Sequence, residues 1–532
     1  MKRFLRLCFV AVAVSSCGSI ATYNKAVTEL HPIEDLHEDV DAVYKQLQRL
    51  HPRLYQFTSK ETLDYKFDSL KTAINTPMTS RDFYKELAQV TKYVGQGHMS
   101  LSPPSKRFDR KERKANLKLK FDINNLKTEY LKGTLFISNA KGNDSLLKHV
   151  EILKVDGVST NYLIHKFKKT IASDGYNTTF HKRVAGKRFF GYYNRDIGRF
   201  DSISLTLRNA DSTFIKKYKR LPKVEKKKET DSTKLDSLKK LPSKKKLTKT
   251  EKKAKKAKFK KMRKDRQKYG YNYTTKTNNR LFKFIGKDSA VAYMKIRGFS
   301  RGKYKDFYKE VFKKIDSAGT KNLVIDLRDN FGGRLNEITN LYSYLTDKNF
   351  TLINKSEINR RLPRFKVAYS NTSALGTKII YSLLSPGFLV NDILRTSKKD
   401  GQLYYKFKSA KETEPSPLNF KGDVYVLING NSFSASSIIS TQLKGSKRAT
   451  IVGEETGGAY NGTVAGFYKN YELPNTKVRA RIGLMHIDSK YKIEPDGFGV
   501  TPDIEIIPTY QDRLNGVDPE LEWVLDDTEK KK

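Results

Sequence analysis

The chain has 532 residues, with 104 lysine and arginine residues against 57 aspartate and glutamate residues, which gives a formal net charge of +47. Hydrophobic residues make up 37% of the chain, enough over this length to exclude a wholly disordered protein. Two cysteines exclude a disulfide scaffold, and the lack of an internal apolar run of about 20 residues excludes a polytopic membrane protein. At about 100–200 residues per domain, we expect several domains.

The first 17 residues follow the order of an export signal. Lysine and arginine residues precede the apolar run 7–14, and small residues then lead to Cys17. This order resembles the lipobox of bacterial lipoproteins, which implies cleavage before Cys17 and lipidation of its thiol. An ordinary signal peptide with an accidental cysteine is the alternative. For residues 1–17 we expect a signal, and for the mature protein a lipid anchor in the cell envelope, periplasmic or associated with the outer membrane.

Residues 18–110 are predicted to be a helical N-terminal region, because apolar residues recur at steps of three and four, the spacing of one helix face. The recurring residues are Ile33, Leu36, Val40, Val43, Leu47 and Leu50. A second helix is predicted over residues 81–94, with Thr79 or Ser80 as its cap and Gly95 as its end. The segment after that helix carries His98.

Residues 111–221 have the pattern of a small β domain, because short β-rich segments alternate with Gly, Asn and Asp turn signals. The string Glu-Ile-Leu-Lys-Val-Asp-Gly-Val at residues 151–158 resembles the strand and turn of a PDZ module. PDZ modules bind peptides by adding a strand to a sheet edge. A generic β domain is the alternative.

Residues 222–270 form a lysine-rich insert. Between residues 222 and 268, 22 lysine and arginine residues stand against 6 acidic residues. Such a segment buries too little apolar surface to fold by itself, so we expect a disordered linker or a solvated helix. Binding to anionic lipid headgroups or to nucleic acid is the functional alternative. No tryptophan or tyrosine interleaves the lysines of 222–268, and we therefore expect no nucleic acid partner.

Between residues 271 and 510, patterns of buried strands alternate with patterns of helices, which predicts an α/β layer around a parallel sheet. The strand patterns lie at residues 290–296, 323–327, 424–428 and 450–452. In such sheets the functional residues follow the carboxyl ends of the strands. Three polar or glycine-rich loops occupy those positions, and residues 511–532 remain as a C-terminal tail.

One of these loops places Ser434 at a strand-to-helix turn. At such a turn a hydroxyl can face a cleft, and the free N–H groups of the helix N-terminus can stabilise a developing oxyanion. The pair Gly332 and Gly333 allows a second backbone N–H to approach the same point. A helix cap at Ser434 and a simple turn at the glycines are the structural alternatives.

Four strings together resemble the catalytic domain of C-terminal processing, or tail-specific, serine peptidases. They are Asp-Leu-Arg-Asp-Asn-Phe-Gly-Gly at 326–333, Ser-Ala-Ser-Ser at 434–437, Gly-Glu-Glu-Thr-Gly-Gly at 453–458 and Gly-Val-Thr-Pro-Asp at 499–503. The resemblance implies a crotonase/ClpP-like β-β-α spiral. It also implies that Ser434 is the nucleophile, and that the N–H groups of Ala435 and of Gly332 or Gly333 form the oxyanion hole.

The best-known branch of that family uses a lysine after the Gly-Glu string, and no lysine stands in residues 453–462 of this chain. The branch that includes the tricorn protease uses a histidine, and Gly-His-Met-Ser at 97–100 resembles its histidine string. This resemblance implies that His98 is the general base. It further implies a carboxylate that orients the histidine, at Asp496 or at Glu494 two residues earlier. Ordinary surface turn residues are the alternative for both.

We therefore expect an exported, lipid-anchored serine endopeptidase that cleaves unfolded or C-terminal segments of polypeptides through an acyl-enzyme intermediate. The alternative is a catalytically decayed relative that binds peptides or lipophiles, and a third hypothesis has the lysine-rich insert bind an anionic surface. We expect no metal and no cofactor, because the histidines lack metal-ligand spacing and no phosphate-binding glycine string occurs. The expected partners are a polypeptide substrate and a membrane, and the sequence leaves the oligomeric state open.

Overall fold

A computed structural model describes the protein at residues 19–210, 212–223, 248–373 and 375–531. The expected signal with its Cys17, and most of the lysine-rich insert before residue 248, lie outside the described residues. Within them, no helix combines the length and the apolar character needed to cross a membrane. The fold consists of three larger β-sheets, two short strand pairs and the helices that pack around them.

The N-terminal region is mainly helical. Its elements are α1 (Ile20–Ala26), β1 (Leu30–His31), α2 (Ile33–Leu50), α3 (Lys60–Ala73), β2 (Met78–Thr79), α4 (Ser80–Thr91) and β3 (Ser100–Ser102). The predicted apolar face of α2 is buried. Thr79 caps α4 by accepting a hydrogen bond from the Asp82 N–H, and Gly95, with a φ of 65°, ends the 3₁₀ turn that follows. The chain therefore turns sharply just before His98.

The next region is built around an antiparallel sheet. Its elements are α5 (Arg110–Leu117), β4 (Leu119–Phe121), β5 (Lys127–Leu131), β6 (Thr134–Asn139), β7 (Glu151–Val155), β8 (Val158–Ser159), α6 (Thr160–Lys168), α7 (Thr179–Lys187), α8 (Phe189–Ile197), β9 (Ser202–Asn209) and β10 (Ser212–Pro222). The strand order is β4-β10-β9-β7-β6-β5, and β8 pairs with β7. The sheet and helices α6 to α8 enclose a second hydrophobic core, which Phe433 joins. Because Phe433 precedes Ser434, this region packs directly against the loop of the predicted nucleophile.

The described part of the lysine-rich insert is helical. Its elements are α9 (Lys249–Tyr269) and the strand pair of β11 (Tyr271–Asn272) with β12 (Thr277–Asn278). Over α9 the structure differs from the expected disorder, because lysine and alanine favour helices and a capping box joins Thr248 to Glu251. No residue of α9 is buried, as expected for a solvated helix. Its end is fixed by Tyr269, whose hydroxyl donates a hydrogen bond to Glu310 over 2.9 Å.

The remaining elements form the predicted α/β region. They are β13 (Arg280–Ile285), β14 (Val291–Ile296), α10 (Tyr304–Ser317), β15 (Asn322–Asp326), α11 (Leu335–Tyr342), β16 (Ser356–Ile358), α12 (Pro363–Ala368), α13 (Leu375–Arg395), β17 (Thr396–Lys399), β18 (Gln402–Tyr405), β19 (Asp423–Ile428), α14 (Ala435–Gly445), β20 (Thr450–Gly453), β21 (Gly462–Glu472), β22 (Arg479–Asp488), β23 (Ile504–Glu505), α15 (Tyr510–Asn515) and α16 (Pro519–Lys530). The main sheet has the order β13-β14-β15-β19-β20-β23, with β13 antiparallel and every other pair parallel. Helices α10, α11 and α14 cover one face and α16 covers the other. The carboxyl ends of β15, β19 and β20 meet at one edge, where the three predicted loops begin.

A third sheet brings the N-terminal region to that edge. Its order is β17-β18-β16-β22-β21, and β3 pairs antiparallel with β22, so that Leu101 lies opposite Ala480. Strand β3 begins two residues after His98. The pairing of β3 with β22 therefore fixes the position of the histidine relative to the α/β region.

Two histidines, His51 and His486, are buried without a hydrogen-bond partner for either ring nitrogen among the described residues. Burial and the neighbouring His486 lower the pKa of His51 to about 3, and burial and the charge of Arg53 lower the pKa of His486 to about 4. In the unfolded chain both rings titrate near pH 6.5. Below about pH 6.5 the unfolded chain therefore binds more protons than the folded protein, and falling pH favours unfolding.

We expect the free energy of unfolding to decline from about pH 6.5 toward pH 4, by up to about 1.4 kcal/mol per pH unit for each of these histidines. Guanidinium unfolding at several pH values, followed by circular dichroism, measures the decline. The free energy of unfolding of the variant His486→Gln should decline less steeply with falling pH than that of the parent. His165→Gln, at an exposed position of α6, should show the same pH dependence as the parent. Identical pH slopes for the parent and His486→Gln would contradict this prediction.

Candidate active site

Ser434 lies at the turn between β19 and α14, with a φ of 60° and a ψ of −121°, a conformation that residues with side chains rarely adopt. The turn is held by the Asn429 N–H, which donates to the Ser432 hydroxyl over 3.0 Å, and by that hydroxyl, which donates to the Leu327 carbonyl over 2.8 Å. Strain of this kind persists where the surroundings over-determine the backbone, and it is typical of strand-to-helix turns that expose a nucleophile.

Two backbone N–H groups lie beside Ser434 and are suited to stabilise an oxyanion. A Cβ atom on Gly332 would lie 2.7 Å from the Ala435 nitrogen, so only glycine allows this loop to approach so closely. The Gly332 N–H donates to Asn330 Oδ1 over 2.9 Å. Among the described residues, neither the Gly333 N–H nor the Ala435 N–H donates to another protein group. The geometry therefore favours Gly333 over Gly332 as the second donor beside Ala435, where the helix dipole adds positive potential.

His98 lines the same cavity as Ser434, although the two residues are far apart in the chain. Its ring packs between Phe433 and Tyr468, with distances of 4.5 and 5.9 Å between ring centroids. No hydrogen bond joins His98 to the Ser434 hydroxyl in the described part of the chain, and such contacts commonly tighten only when a substrate binds. The packing on both sides holds the plane of the imidazole.

His98 is linked to a buried carboxylate through a threonine. Its Nδ1 lies 3.0 Å from Thr463 Oγ1, and that hydroxyl donates to Asp174 Oδ1 over 3.2 Å. Because the single hydroxyl proton is directed to the carboxylate, the threonine oxygen accepts the Nδ1 proton of His98. The network therefore assigns the tautomer in which Nε2 is unprotonated, the form that a general base toward Ser434 needs.

Asp174 is fully buried and also accepts hydrogen bonds from the N–H groups of Gly97, over 2.7 Å, and of Ala459, over 3.3 Å. Burial nevertheless raises the pKa of the Asp174 carboxyl to about 6. Burial and the charge of Arg481 lower the pKa of His98 to about 3. At neutral pH the histidine is thus neutral and the aspartate ionised, the pair of states in which His98 can accept a proton and its positive charge can be stabilised.

The structure places neither predicted carboxylate beside His98. Asp496 accepts a hydrogen bond from the Gln56 side-chain amide over 2.8 Å and another from the N–H of Gly497 over 2.7 Å. Glu494 is exposed. The carboxylate of Asp496 is thus engaged within its own turn and by the N-terminal region. The carboxylate that is linked to His98, in the role expected for Asp496 or Glu494, is Asp174.

Asp174 and Thr463 were not among the residues predicted from the sequence. Asp174 precedes a glycine and has the pattern of a turn residue, and Thr463 stands near the start of β21 as an ordinary strand residue. They meet only because the loop between α6 and α7 and the start of β21 converge on His98. A buried Thr–Asp pair of this kind has no signal in local sequence.

Arg328, in the loop after β15, positions that loop rather than facing the cavity. It pairs with Asp326 over 2.8 Å and with Asp518, just before α16, over 2.6 Å. Although burial opposes ionisation, the charges of Arg328 and Lys295 hold the pKa of the Asp326 carboxyl well below its usual range. This buried charge cluster fixes the start of the loop that carries the two glycines.

The cavity lined by Ser434 and His98 has a volume of about 400 Å³, enough for side chains of a polypeptide on either side of a reacting bond. None of the described lysines lines it. Within the described ranges, no group of three or more His, Cys, Asp and Glu side chains gathers in an arrangement that could hold a metal ion. The chemistry that this cavity offers is nucleophilic attack by a serine with histidine as base.

Part of the chain is similar to known peptidases. Residues 290–506 match the model of peptidase family S41. A carboxy-terminal-processing protease of Bartonella bacilliformis is 28% identical over 234 residues, which cover 43% of this chain and 42% of that protein. This chain therefore matches less than half of the length of that relative.

Among solved structures, mature CPAF gives a TM-score of 0.58 at 16% sequence identity, over 94% of this chain and 97% of that chain. Mature CPAF complexed with lactacystin gives a TM-score of 0.56 at 17% identity, over 94% of this chain and 98% of that chain. These values show a shared fold that extends beyond the α/β region to the N-terminal region and the antiparallel sheet.

Proposed function

We propose, from the match of residues 290–506 to the model of peptidase family S41 and from the geometry of the site, that the protein is a serine endopeptidase with Ser434 as nucleophile and His98 as general base. The observation that carries the proposal is the series from His98 through Thr463 to Asp174, which sets the histidine tautomer in the cavity of a strained serine. A buried carboxylate linked to the histidine stabilises the positive charge that His98 gains when it accepts a proton, which a general base requires and a histidine with only a packing role does not.

The reaction follows from the positions of these groups. Ser434 Oγ attacks the peptide carbonyl carbon while His98 Nε2 takes the hydroxyl proton, and the N–H groups of Ala435 and Gly333 stabilise the oxyanion. His98 then gives the proton to the leaving amine as the C–N bond breaks, which leaves an ester on Ser434. His98 then takes a proton from water, whose oxygen attacks the ester carbonyl. The bond to Ser434 Oγ breaks and releases the acid, and His98 gives its proton to that serine oxygen.

The family match and the relative that processes carboxy termini support a polypeptide substrate, cleaved in unfolded or C-terminal segments. The strand order of the main sheet, with helices on both faces, supports a crotonase/ClpP-like β-β-α spiral. Residues 111–221 are proposed as a PDZ-like module that presents the substrate chain, since their strands carry the Asp-Gly turn at 156–157 after β7. The proposed domain boundaries are those predicted from the sequence: 18–110, 111–221, 222–270 and 271–510.

The order of residues 1–17 supports an exported protein held at the cell envelope by lipid on Cys17. Metabolic labelling with a fatty acid, followed by mass spectrometry of the N-terminal peptide, tests this part separately. An unlabelled chain that still begins at Met1 would contradict export and anchoring without bearing on catalysis.

The decisive experiment exposes the purified protein to a fluorophosphonate, which phosphonylates only activated serines. We expect one adduct on the tryptic peptide that contains Ser434. Protein that is denatured before the probe is added should not be labelled. The same protein should generate new termini in a reduced, unfolded polypeptide, as detected by mass spectrometry. An adduct on another serine would contradict the nucleophile assignment, and a protein with neither labelling nor cleavage would be a binding protein rather than a peptidase.

A further inference from the structure

The charged groups that line the cavity of Ser434 are of one sign. Three arginines reach it from two parts of the fold: Arg188 just before α8 and Arg195 within α8, and Arg481 on β22. No aspartate or glutamate lines the cavity in the part of the chain that the structure describes. Because like charges repel one another, three guanidinium groups along one cavity favour a ligand of opposite charge.

None of the three arginines forms an ion pair among the described residues, although the surface offers carboxylates. Asp196, the residue after Arg195, pairs instead with Lys166 over 2.8 Å. Other arginines, such as Arg183 and Arg328, form ion pairs with carboxylates. The three arginines that line the cavity of Ser434 do not, among the described residues.

Each guanidinium is held by an aromatic ring rather than by a counter-charge. The Cζ atom of Arg481 lies 3.6 Å from the centroid of Tyr468, and that of Arg188 lies 4.4 Å from the centroid of Phe331. The Cζ atom of Arg195 lies 5.2 Å from the Tyr192 centroid. Stacking positions the planar group and leaves the N–H donors on its edges free for a carboxylate.

We propose that the cavity recognises acidic side chains of the substrate next to the scissile bond, and that the substrates of this protein are acidic polypeptide segments. This inference rests on the proposed peptidase function and names its substrate class. Three separate guanidinium groups can bind several carboxylates at once, which suits a run of Asp and Glu residues better than the single carboxylate of a chain end. The formal net charge of +47 also attracts such a segment from solution.

Recognition of an acidic residue at Arg481 would also assist the chemistry. The charge of Arg481 is one of the two causes that hold the pKa of His98 low. A substrate carboxylate paired with Arg481 offsets that charge and makes His98 a stronger base at the moment when the substrate is in place. An acidic residue is therefore expected to raise kcat as well as to lower KM.

The test begins with a mixture of unstructured peptides in which the positions around the cleaved bond vary. The purified protein digests the mixture, and mass spectrometry of the new termini gives the preferred residue at each position. We expect Asp and Glu to be enriched near the cleaved bond. Matched fluorogenic peptides that differ only by Glu or Gln at the preferred position then give kcat and KM, and we expect kcat/KM to be about 10- to 100-fold higher for Glu.

The arginines are tested through the ratio of the two kcat/KM values, which a general loss of activity does not change. We expect Arg481→Gln to bring the Glu-to-Gln ratio close to 1, and Arg481→Lys to retain part of it. Arg301→Gln, at an exposed position outside the cavity, should keep the ratio of the parent. An unchanged ratio in both Arg481→Gln and Arg188→Gln would overturn the assignment.

Two further outcomes separate this inference from the proposed function. Efficient cleavage with equal kcat/KM for the Glu and Gln peptides would overturn the substrate class and leave the peptidase intact. Loss of activity on amidation of the peptide C-terminus, with no effect of the Glu-to-Gln change, would assign the arginines to a terminal carboxylate and also overturn it. Absence of cleavage of every peptide, together with no fluorophosphonate adduct, would instead remove the peptidase function itself.

Discussion

Replacement of Ser434 by alanine is expected to lower kcat/KM for peptide hydrolysis by about 10⁴-fold or more, to the level that the oxyanion hole and binding alone sustain. His98→Ala should produce a loss of similar size, because a serine hydroxyl is a weak nucleophile without a base. Initial rates on an internally quenched peptide, with protein concentration corrected for the folded fraction, measure both losses.

Two residues that act as a unit give effects that do not add. We expect the double variant Ser434→Ala/His98→Ala to be no slower than Ser434→Ala alone. Ser446→Ala, beyond the far end of α14, and His165→Ala, at an exposed site of α6, serve as matched controls and should retain the rate of the parent. A His98→Ala protein with nearly the rate of the parent would show that another group is the base.

The parts of this site that the sequence predicts are local. Ser434 was found because a polar turn between a strand pattern and a helix pattern, and a string that resembles a known family, occur within a few residues of each other. The glycines after β15 were found in the same way. The choice between Gly332 and Gly333 could not be made, because it depends on a hydrogen bond from the Gly332 N–H to Asn330 that only the folded loop defines.

The carboxylate of the site shows the limit of such reasoning. Asp496 and Glu494 are predicted by resemblance to the histidine-dependent branch of the family, whereas the carboxylate linked to His98 is Asp174, in the loop between α6 and α7. The bridge is Thr463 on β21, next to the strand that pairs with β3. These contacts depend on the pairing of β3 with β22 and of β22 with β21, and on the packing of the loop between α6 and α7 beside them. The periodicity of the sequence does not reveal which strands pair.

The helix α9 shows that composition was also a partial guide. The charge of the insert predicts a segment that buries little apolar surface, and over α9, the helix that the structure describes, no residue is buried. What composition alone does not specify is the capping box at Thr248 and Glu251, which allows a helix to begin at a defined residue. Local capping decided between the disorder and the solvated helix that the composition leaves open.

Asp174→Asn is expected to lower kcat/KM by about 10³-fold at pH 8, because it reverses the direction of the hydrogen bonds behind His98. An asparagine amide can donate to Thr463, whose hydroxyl then donates to His98 Nδ1. The proton of the imidazole is thereby moved to Nε2, the atom that must accept the proton of Ser434. Thr463→Val should lower kcat/KM by about 10- to 100-fold. Thr463→Ser, which keeps the hydroxyl, should retain most of the activity.

The pH profile distinguishes this relay from a merely structural role of Asp174. Burial raises the pKa of the Asp174 carboxyl to about 6, so protonation below that pH has the same effect as the Asn substitution, whereas His98, with a pKa near 3, stays neutral. We expect kcat/KM of the parent to rise with pH through about 6 and then to level off, and the Asp174→Asn profile to lack this rise. A parent profile that is flat from pH 5 to 8, or an Asp174→Asn protein that keeps both the rise and the rate, would exclude Asp174 as the group that orients the base.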